Sequence, residues 1–402
     1  MPSPLSSAEI IQLGEKYLMQ TYRPLPLVIE SGQGARVIDA DGRSYLDFVA
    51  GIAVCSLGYG HAELVGAIQE QAGKIVHTSN QAFNEPSVRL AEALCQNSFA
   101  ERVFFCNSGA EANESLLKLA RRAFFKTDPE RYEIICMDKA FHGRTLGTMS
   151  ATGQAKYKDG FGSLLPGFKV VPYGDVDAMR AAFSSKTAAV IMEPILGEGG
   201  IVKPPQGYLQ DVRHLCDEHS ALLLFDEVQT GIGRTGKLFA YMHENIIPDA
   251  MALAKGLGGG MPIGAMLTTD KLGEVLEFPV HGSTFGCNPV ATAAGLVVMK
   301  HVATPAFLAH VSKMGLYLES RLLELKKQFS RLILDVRGLG LFYGVECALD
   351  TNSFRKDALA NGLLINFCGQ QVLRLSPPLV IDQASLDEGL DILAMLLLQY
   401  NK

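Results

Sequence analysis

Between Arg102 and Met266 the chain repeats one unit: a short unbroken apolar run, then a stretch whose apolar positions recur every three or four residues. The runs are Arg102–Cys106 (RVFFC), Glu133–Met137 (EIICM), Ala188–Met192 (AAVIM), Ala221–Phe225 (ALLLF) and Ala250–Ala254 (AMALA). They are apolar at odd and even positions alike, which predicts strands covered on both faces. Strands that alternate with helices predict an α/β fold with a mostly parallel sheet. After Pro289 a long apolar-periodic stretch predicts one helix through about His310. It leads into a smaller α+β domain with strands near Leu332–Val336, Leu341–Val345 and Val372–Leu375, and a last helix near Ala384–Gln399. Close to the N-terminus, RVIDADGRSYLDF reads as a hairpin turning at Asp41-Gly42. The expected organisation is an N-terminal segment (1–58) that joins the small domain, a large domain (59–292) and a C-terminal small domain (293–402).

Ligands of open α/β sheets bind beyond the carboxyl ends of the strands, so the residues after each run are the place to look for chemistry. RVFFC is followed by NSGAEANE, where Ser108 and Glu111 have the spacing of a capping box. Gly109 and Ala110 leave the first-turn amides uncovered, which suits an anion as well as an ordinary capped helix. EIICM is followed by Phe141, His142 and Arg144; a core Phe, a surface His and a solvated Arg are the bland alternatives. AAVIM is followed by EPILGEGG, with Glu193 and Glu198 in a loop where glutamates are usually solvated. ALLLF ends on Asp226, either a turn former or a buried acid. AMALA runs into Lys255, and then into a stretch rich in glycine. A lysine desolvated at a strand end has a depressed pKa and becomes a nucleophilic amine, although a lysine snorkelling above a loop fits the same pattern. Together, an anion cradle, an aromatic to stack, an acid for a ring nitrogen and a lysine for an aldehyde are the parts that pyridoxal phosphate requires.

Composition narrows the setting. Of 402 residues, 48% are hydrophobic and 19% charged, as in globular chains. The net charge is −6 and no basic block is present, which argues against a nucleic-acid partner. No apolar run is long enough for a membrane span, and the first residues lack the layout of a signal peptide. The eight cysteines form no CxxC pair and no zinc spacing, so no metal is expected and a reducing cytoplasm is.

Read in order, TYRPLPLVIESGQGARVIDADGRSYLDF, NSGAEANE, FHGRT, EPILGEGG, FDEVQTGIGRTG, AKGLGGGMPIGA, HGSTFGCNP and RLSPPLVI make nearly the whole chain similar to the class III aminotransferases. These are fold-type I pyridoxal-phosphate enzymes. Within the class the chain most resembles the acetylornithine aminotransferases, with ornithine and succinylornithine aminotransferases close by. The resemblance implies pyridoxal 5'-phosphate as cofactor, with its phosphate held by Ser108, Gly109 and Ala110. It implies that Phe141 stacks on the ring, Asp226 pairs with the ring nitrogen and Gln229 lies near the ring hydroxyl. Lys255 would bond to the aldehyde and shuttle the proton. Thr284 would reach the phosphate across a subunit boundary, so that a homodimer shares its active sites. Arg144 would bind the distal carboxylate of substrate, and Arg374 the α-carboxylate of glutamate, with Glu198 capping that arginine. Tyr22, Ser283 and Ile52 complete the implied substrate-binding set. Ile52 stands where ornithine δ-aminotransferases have a tyrosine, which favours an acylated donor. Leu196 for a common Gln and Ala62 for a common Pro are further departures. The implied reaction moves the δ-amine of N2-acetylornithine to 2-oxoglutarate, in arginine biosynthesis. Succinylornithine, ornithine and 4-aminobutyrate are alternative donors, and a glutamate-1-semialdehyde aminomutase is a more distant alternative.

Overall fold

A computed structural model describes residues 5–369 and 371–401. Its centre is a seven-stranded sheet of β4 (Arg102–Cys106), β5 (Glu133–Met137), β6 (Phe168–Val171), β7 (Thr187–Met192), β8 (Leu222–Asp226), β9 (Ala250–Leu253) and β10 (Gly264–Thr268). The strand order is β4-β10-β9-β8-β7-β5-β6. The pairs β5–β6, β5–β7, β7–β8 and β8–β9 are parallel, whereas β10 runs antiparallel to both β9 and β4. The five anticipated strands are present within a residue at either end. Two more were not anticipated. β6 (FKVV) has an exposed edge face and no unbroken apolar run, and β10 lies in a stretch that reads as a glycine-rich loop.

The double-faced burial follows from the composition of the strands. Every residue of β7 is buried, as is every residue of β9 and β10. The helix Gly109–Ala123 lies on one face and buries Ala112, Asn113, Leu116, Leu119 and Ala120. Close approach at the start of β10 requires a glycine: a Cβ on Gly264 would stand 2.3 Å from the Ser108 carbonyl oxygen. That contact seats the start of the helix against the sheet.

The C-terminal part carries an antiparallel sheet, ordered β11-β12-β15-β14, of β11 (Ile333–Leu339), β12 (Phe342–Cys347), β14 (Asn366–Cys368) and β15 (Val372–Leu375). The N-terminal strands β1 (Ile29–Gln33), β2 (Arg36–Asp39) and β3 (Ser44–Asp47) form a third sheet, completed by β13 (Leu363–Leu364) parallel to β3. The hairpin at Asp41-Gly42 is therefore formed, and its strands pair with the C-terminal chain. Arg234, 2% exposed, crosses from the loop after β8 and donates to the carbonyls of Leu341 (3.0 Å) and Pro377 (2.6 Å).

One predicted element is corrected. The helix expected from Pro289 to about His310 is two helices, Pro289–Val302 and Pro305–Gln328, which meet at 74°. Thr304 caps the second helix by accepting from Phe307 N, and Pro305 cannot continue the first. No single helix among the described residues is long and apolar enough to cross a membrane.

Candidate active site

The carboxyl ends of β5, β7, β8 and β9 open on one cavity of about 430 Å³. Because β10 is antiparallel to both β9 and β4, the carboxyl end of β4 faces the same edge. The cavity wall holds Ser108, Gly109, Ala110, Phe141, Arg144, Glu198, Asp226, Gln229 and Lys255 of the anticipated set. Val54, Asn113, His142, Glu193 and Met261–Ile263 line it as well.

At one end Ser108 caps the helix, accepting from Glu111 N at 3.2 Å. The reciprocal half of a capping box is absent, since Glu111 accepts from Asn107 N instead. The amides of Gly109 and Ala110 have no partner among the described residues. They point out of a helix terminus, where the partial positive charge of the aligned peptide dipoles favours an anion.

Opposite lies Asp226, the last residue of β8, 4% exposed. Its Oδ2 accepts from Asn113 Nδ2 (2.7 Å) and is 2.8 Å from His142 Nδ1, and its Oδ1 accepts from Val228 N (3.0 Å). Asn113 Nδ2 also reaches the His142 carbonyl at 2.9 Å. The carboxylate is therefore fixed from three elements, which suits an acid that must face one ligand atom without moving. His142 Nε2 and Asn113 Oδ1 are buried without partners.

His142 and Glu193 depart from their bland alternatives. His142 is buried, and so is Glu193. Glu193 accepts from Phe141 N (3.0 Å) and Gly197 N (2.8 Å), which ties the FHGRT segment to the loop that carries Glu198. Burial, and next the negative charge of Asp226, push its carboxyl up to about 7.

Lys255 follows β9 with its backbone in the left-handed region, φ +44°. Such a conformation is costly for a non-glycine residue and persists where the surroundings enforce it. Its side chain faces the cavity and makes no ion pair among the described residues. Burial, and then the nearby Arg374 guanidinium, lower its pKa to about 8.

Two arginines complete the site, Arg144 in the cavity wall and Arg374 behind Glu198 and Gln229, which line it. Arg374 on β15 is 2% exposed and ion-paired through Nη1 with Glu198 Oε1. The same Nη1 lies 3.3 Å from Gln229 Oε1, and Nε lies 3.4 Å from Asn366 Oδ1. Burial would raise the Glu198 carboxyl, but Arg374 outweighs it and holds the group below its usual range. Arg144 is exposed to the cavity and has no carboxylate partner among the described residues.

Besides Arg374, four anticipated residues lie off the cavity wall. Tyr22 is 81% exposed, and Ile52 sits on an exposed left-handed turn at φ +67°. Ser283 and Thr284 line a neighbouring cavity with Asn107 and Glu114, where Ser283 Oγ accepts from Asn107 Nδ2 at 3.2 Å. Asn113, His142 and Glu193 line the cavity without having been assigned a site role from sequence. A signal for Asn113 existed: it falls on the apolar stripe of its helix with Leu116 and Ala120, where a polar side chain needs a buried partner.

The profile of the family Aminotransferase class-III matches residues 17–397. The acetylornithine aminotransferase of Myxococcus xanthus is 48% identical over 95% of this chain and 96% of its own length. Among solved structures, an N-acetylornithine aminotransferase from Stenotrophomonas maltophilia K279a is 38% identical at TM-score 0.83, covering 97% of this chain and 99% of that one. An ornithine aminotransferase from Toxoplasma gondii, described with partial occupancy of PLP at its active site, is 32% identical at TM-score 0.94 over 98% of this chain and 95% of that one.

Proposed function

The chain belongs to the class-III aminotransferases, and from that premise we propose that it transfers the δ-amine of N2-acetylornithine to 2-oxoglutarate, with pyridoxal 5'-phosphate as the carrier. The products are N-acetylglutamate 5-semialdehyde and glutamate. The observation that carries this reading is the unequal state of the two arginines: Arg144 is open, and Arg374 is capped by Glu198. Both amine donors carry a carboxylate distal to the reacting carbon. Only glutamate carries one on the reacting carbon itself. A site that serves both needs one permanent carboxylate receptor and one that can be masked.

The residues present fit the cofactor. Open amides at Gly109 and Ala110 suit its phosphate, Asp226 its ring nitrogen, Phe141 its ring face, Gln229 its hydroxyl and Lys255 its aldehyde. When bound, pyridoxal phosphate supplies an aldehyde that holds the travelling amine and a ring that stores the electron pair left when a proton departs. With the cofactor bound, Lys255 would take that proton from the reacting carbon and return it to the aldehyde-derived carbon on the far side of the travelling nitrogen. A depressed pKa leaves its amine partly unprotonated near neutrality, as a base requires. Asp226, held by Asn113 and His142, stabilises positive charge on the atom it faces. Arg144 orients the distal carboxylate. Glu198 neutralises Arg374 while acetylornithine reacts and yields it to the α-carboxylate of glutamate, so that no guanidinium is left unpaired in the site.

The same reading makes the enzyme a cytoplasmic homodimer of arginine biosynthesis. Exposed Thr284, next to a Phe285 that is 60% exposed, is then available to complete the site of a second copy. The test is a panel of acetylornithine, succinylornithine, ornithine and 4-aminobutyrate with 2-oxoglutarate, compared by kcat/KM. Acetylornithine should lead. Equal turnover of ornithine would remove the acyl preference, and turnover of glutamate-1-semialdehyde without an acceptor would indicate a mutase.

A further inference from the structure

Arg144 raises a question that its open donors do not answer: what keeps a long, exposed side chain in one place? Its guanidinium carbon lies 4.1 Å from the centroid of the Tyr157 ring and 5.6 Å from that of Phe141. The two rings meet edge to face, 5.4 Å apart at 73°. We propose that Tyr157 is the positioning residue for Arg144, holding the guanidinium by its face so that the in-plane donors stay free for the distal carboxylate of substrate. This rests on the reading above that Arg144 receives that carboxylate.

The argument is one of valence and freedom. A guanidinium has five N–H donors in its plane and none on its faces. Stacking on an aromatic ring uses only a face. An acidic anchor would consume donors and repel the incoming carboxylate. Arg374 shows the other solution, with its in-plane atoms engaged by Glu198, Gln229 and Asn366. Without an anchor, Arg144 would lose several rotatable bonds of freedom each time substrate bound.

Tyr157 is itself held. It closes a short turn, Ala155–Tyr157, and its N–H donates to Gln154 O at 3.2 Å. Gln154 Nε2 donates to Lys139 O (2.9 Å), and Lys158 Nζ to Ser150 O (3.2 Å). The turn is thus pinned to the segment after β5 that carries Phe141 and Arg144. The Tyr157 hydroxyl has no hydrogen-bond partner among the described residues, so the ring face and not the hydroxyl is the working part. Sequence reading gave Tyr157 no role.

The test compares Tyr157→Phe, Tyr157→Ala, Arg144→Ala and the Tyr157→Ala/Arg144→Ala double variant in the holoenzyme. Two quantities are read: steady-state constants with acetylornithine and with glutamate, and the Kd of the simple dicarboxylate glutarate by calorimetry. Tyr157→Phe should stay within about twofold of wild type, since the face is kept. Tyr157→Ala should raise KM for both donors and the Kd of glutarate about tenfold, with kcat nearly unchanged. In the Arg144→Ala background the Tyr157→Ala change should add nothing further. The proposal is overturned if Tyr157→Ala leaves these constants unchanged, or if Tyr157→Phe loses as much as Tyr157→Ala. It is equally overturned if the effect persists without Arg144, or if glutarate does not bind the wild type. The substrate reading fails separately: a wild type that ignores acetylornithine, yet loses glutarate in Tyr157→Ala and not in Tyr157→Phe, keeps the role of Tyr157 and discards the donor.

Discussion

The two ends of the cavity hold charge in opposite ways. Around Asp226 everything is fixed. The carboxylate sits at the end of a buried strand, with Asn113, His142 and the Val228 amide spending their donors on it. Around Arg374 and Arg144 the pairing is provisional: one guanidinium is capped by a loop glutamate that lies partly open to the cavity, and the other lies over the Tyr157 ring with free donors. The fixed end suits a group that stays through every turnover. The adjustable end suits two substrates that differ in one carboxylate. A single cavity can do both because the fixed acid comes from the strand end, while Glu198 comes from a loop.

This contrast can be broken by removing members of each end. The largest effect is expected at Lys255, which serves both ends. Lys255→Ala should lower turnover by at least about a thousandfold. Borohydride should leave the cofactor's mass on the Lys255 peptide of wild type and on no peptide of the variant, read by mass spectrometry. A wild type that takes up no pyridoxal phosphate would end the reading.

Next comes the fixed end. Asp226→Ala should slow both half-reactions together, by about a hundred- to a thousandfold, while cofactor is still bound. Single-turnover absorbance with each donor checks this. An effect on one donor only would place Asp226 on the adjustable side.

At the adjustable end the loss should be lopsided. Glu198→Ala leaves Arg374 uncapped, so the acetylornithine half-reaction should slow by roughly ten- to a hundredfold while that of glutamate is kept. An equal fall in both would make Glu198 structural and erase the distinction between the two ends.

The smallest effect is a pH dependence. Lys255 is pushed down from 10.5 to about 8. The reactive neutral amine therefore predominates above about pH 8 and falls about tenfold for each unit below it. The rate at which enzyme stripped of cofactor takes up pyridoxal phosphate should climb with a midpoint near pH 8 and level off about a unit above it. A midpoint near 10.5 would mean that the lysine is solvated.

Much of this was legible along the chain. Strands covered on both faces announce themselves as unbroken apolar runs, because no face of such a strand can be polar. The polar residues at or just beyond the end of each run must then lie at the sheet edge, and Ser108, Asp226 and Lys255 stand out along the chain for that reason. The broken helix was legible too: Thr304-Pro305 is a cap followed by a proline, a local signal that a strong apolar period concealed.

Other features depended on the tertiary structure. Strand β10 is coded by a stretch that resembles a loop, and it becomes a strand because β4 and β9 offer it partners on both sides. The burial of Glu193 and His142 could not be read locally. A glutamate in a loop has the same neighbours in sequence whether water or the Phe141 and Gly197 amides satisfy it. The contact of Tyr157 with Arg144 joins residues thirteen positions apart through an irregular segment with no period to betray it. Periodicity records which face of an element is covered, so the sequence by itself determined the layers and the edge where chemistry would lie. Which side chains from separate elements meet at that edge, and with which donors left free, is set by chain crossings that leave no period, and only the folded structure decided it.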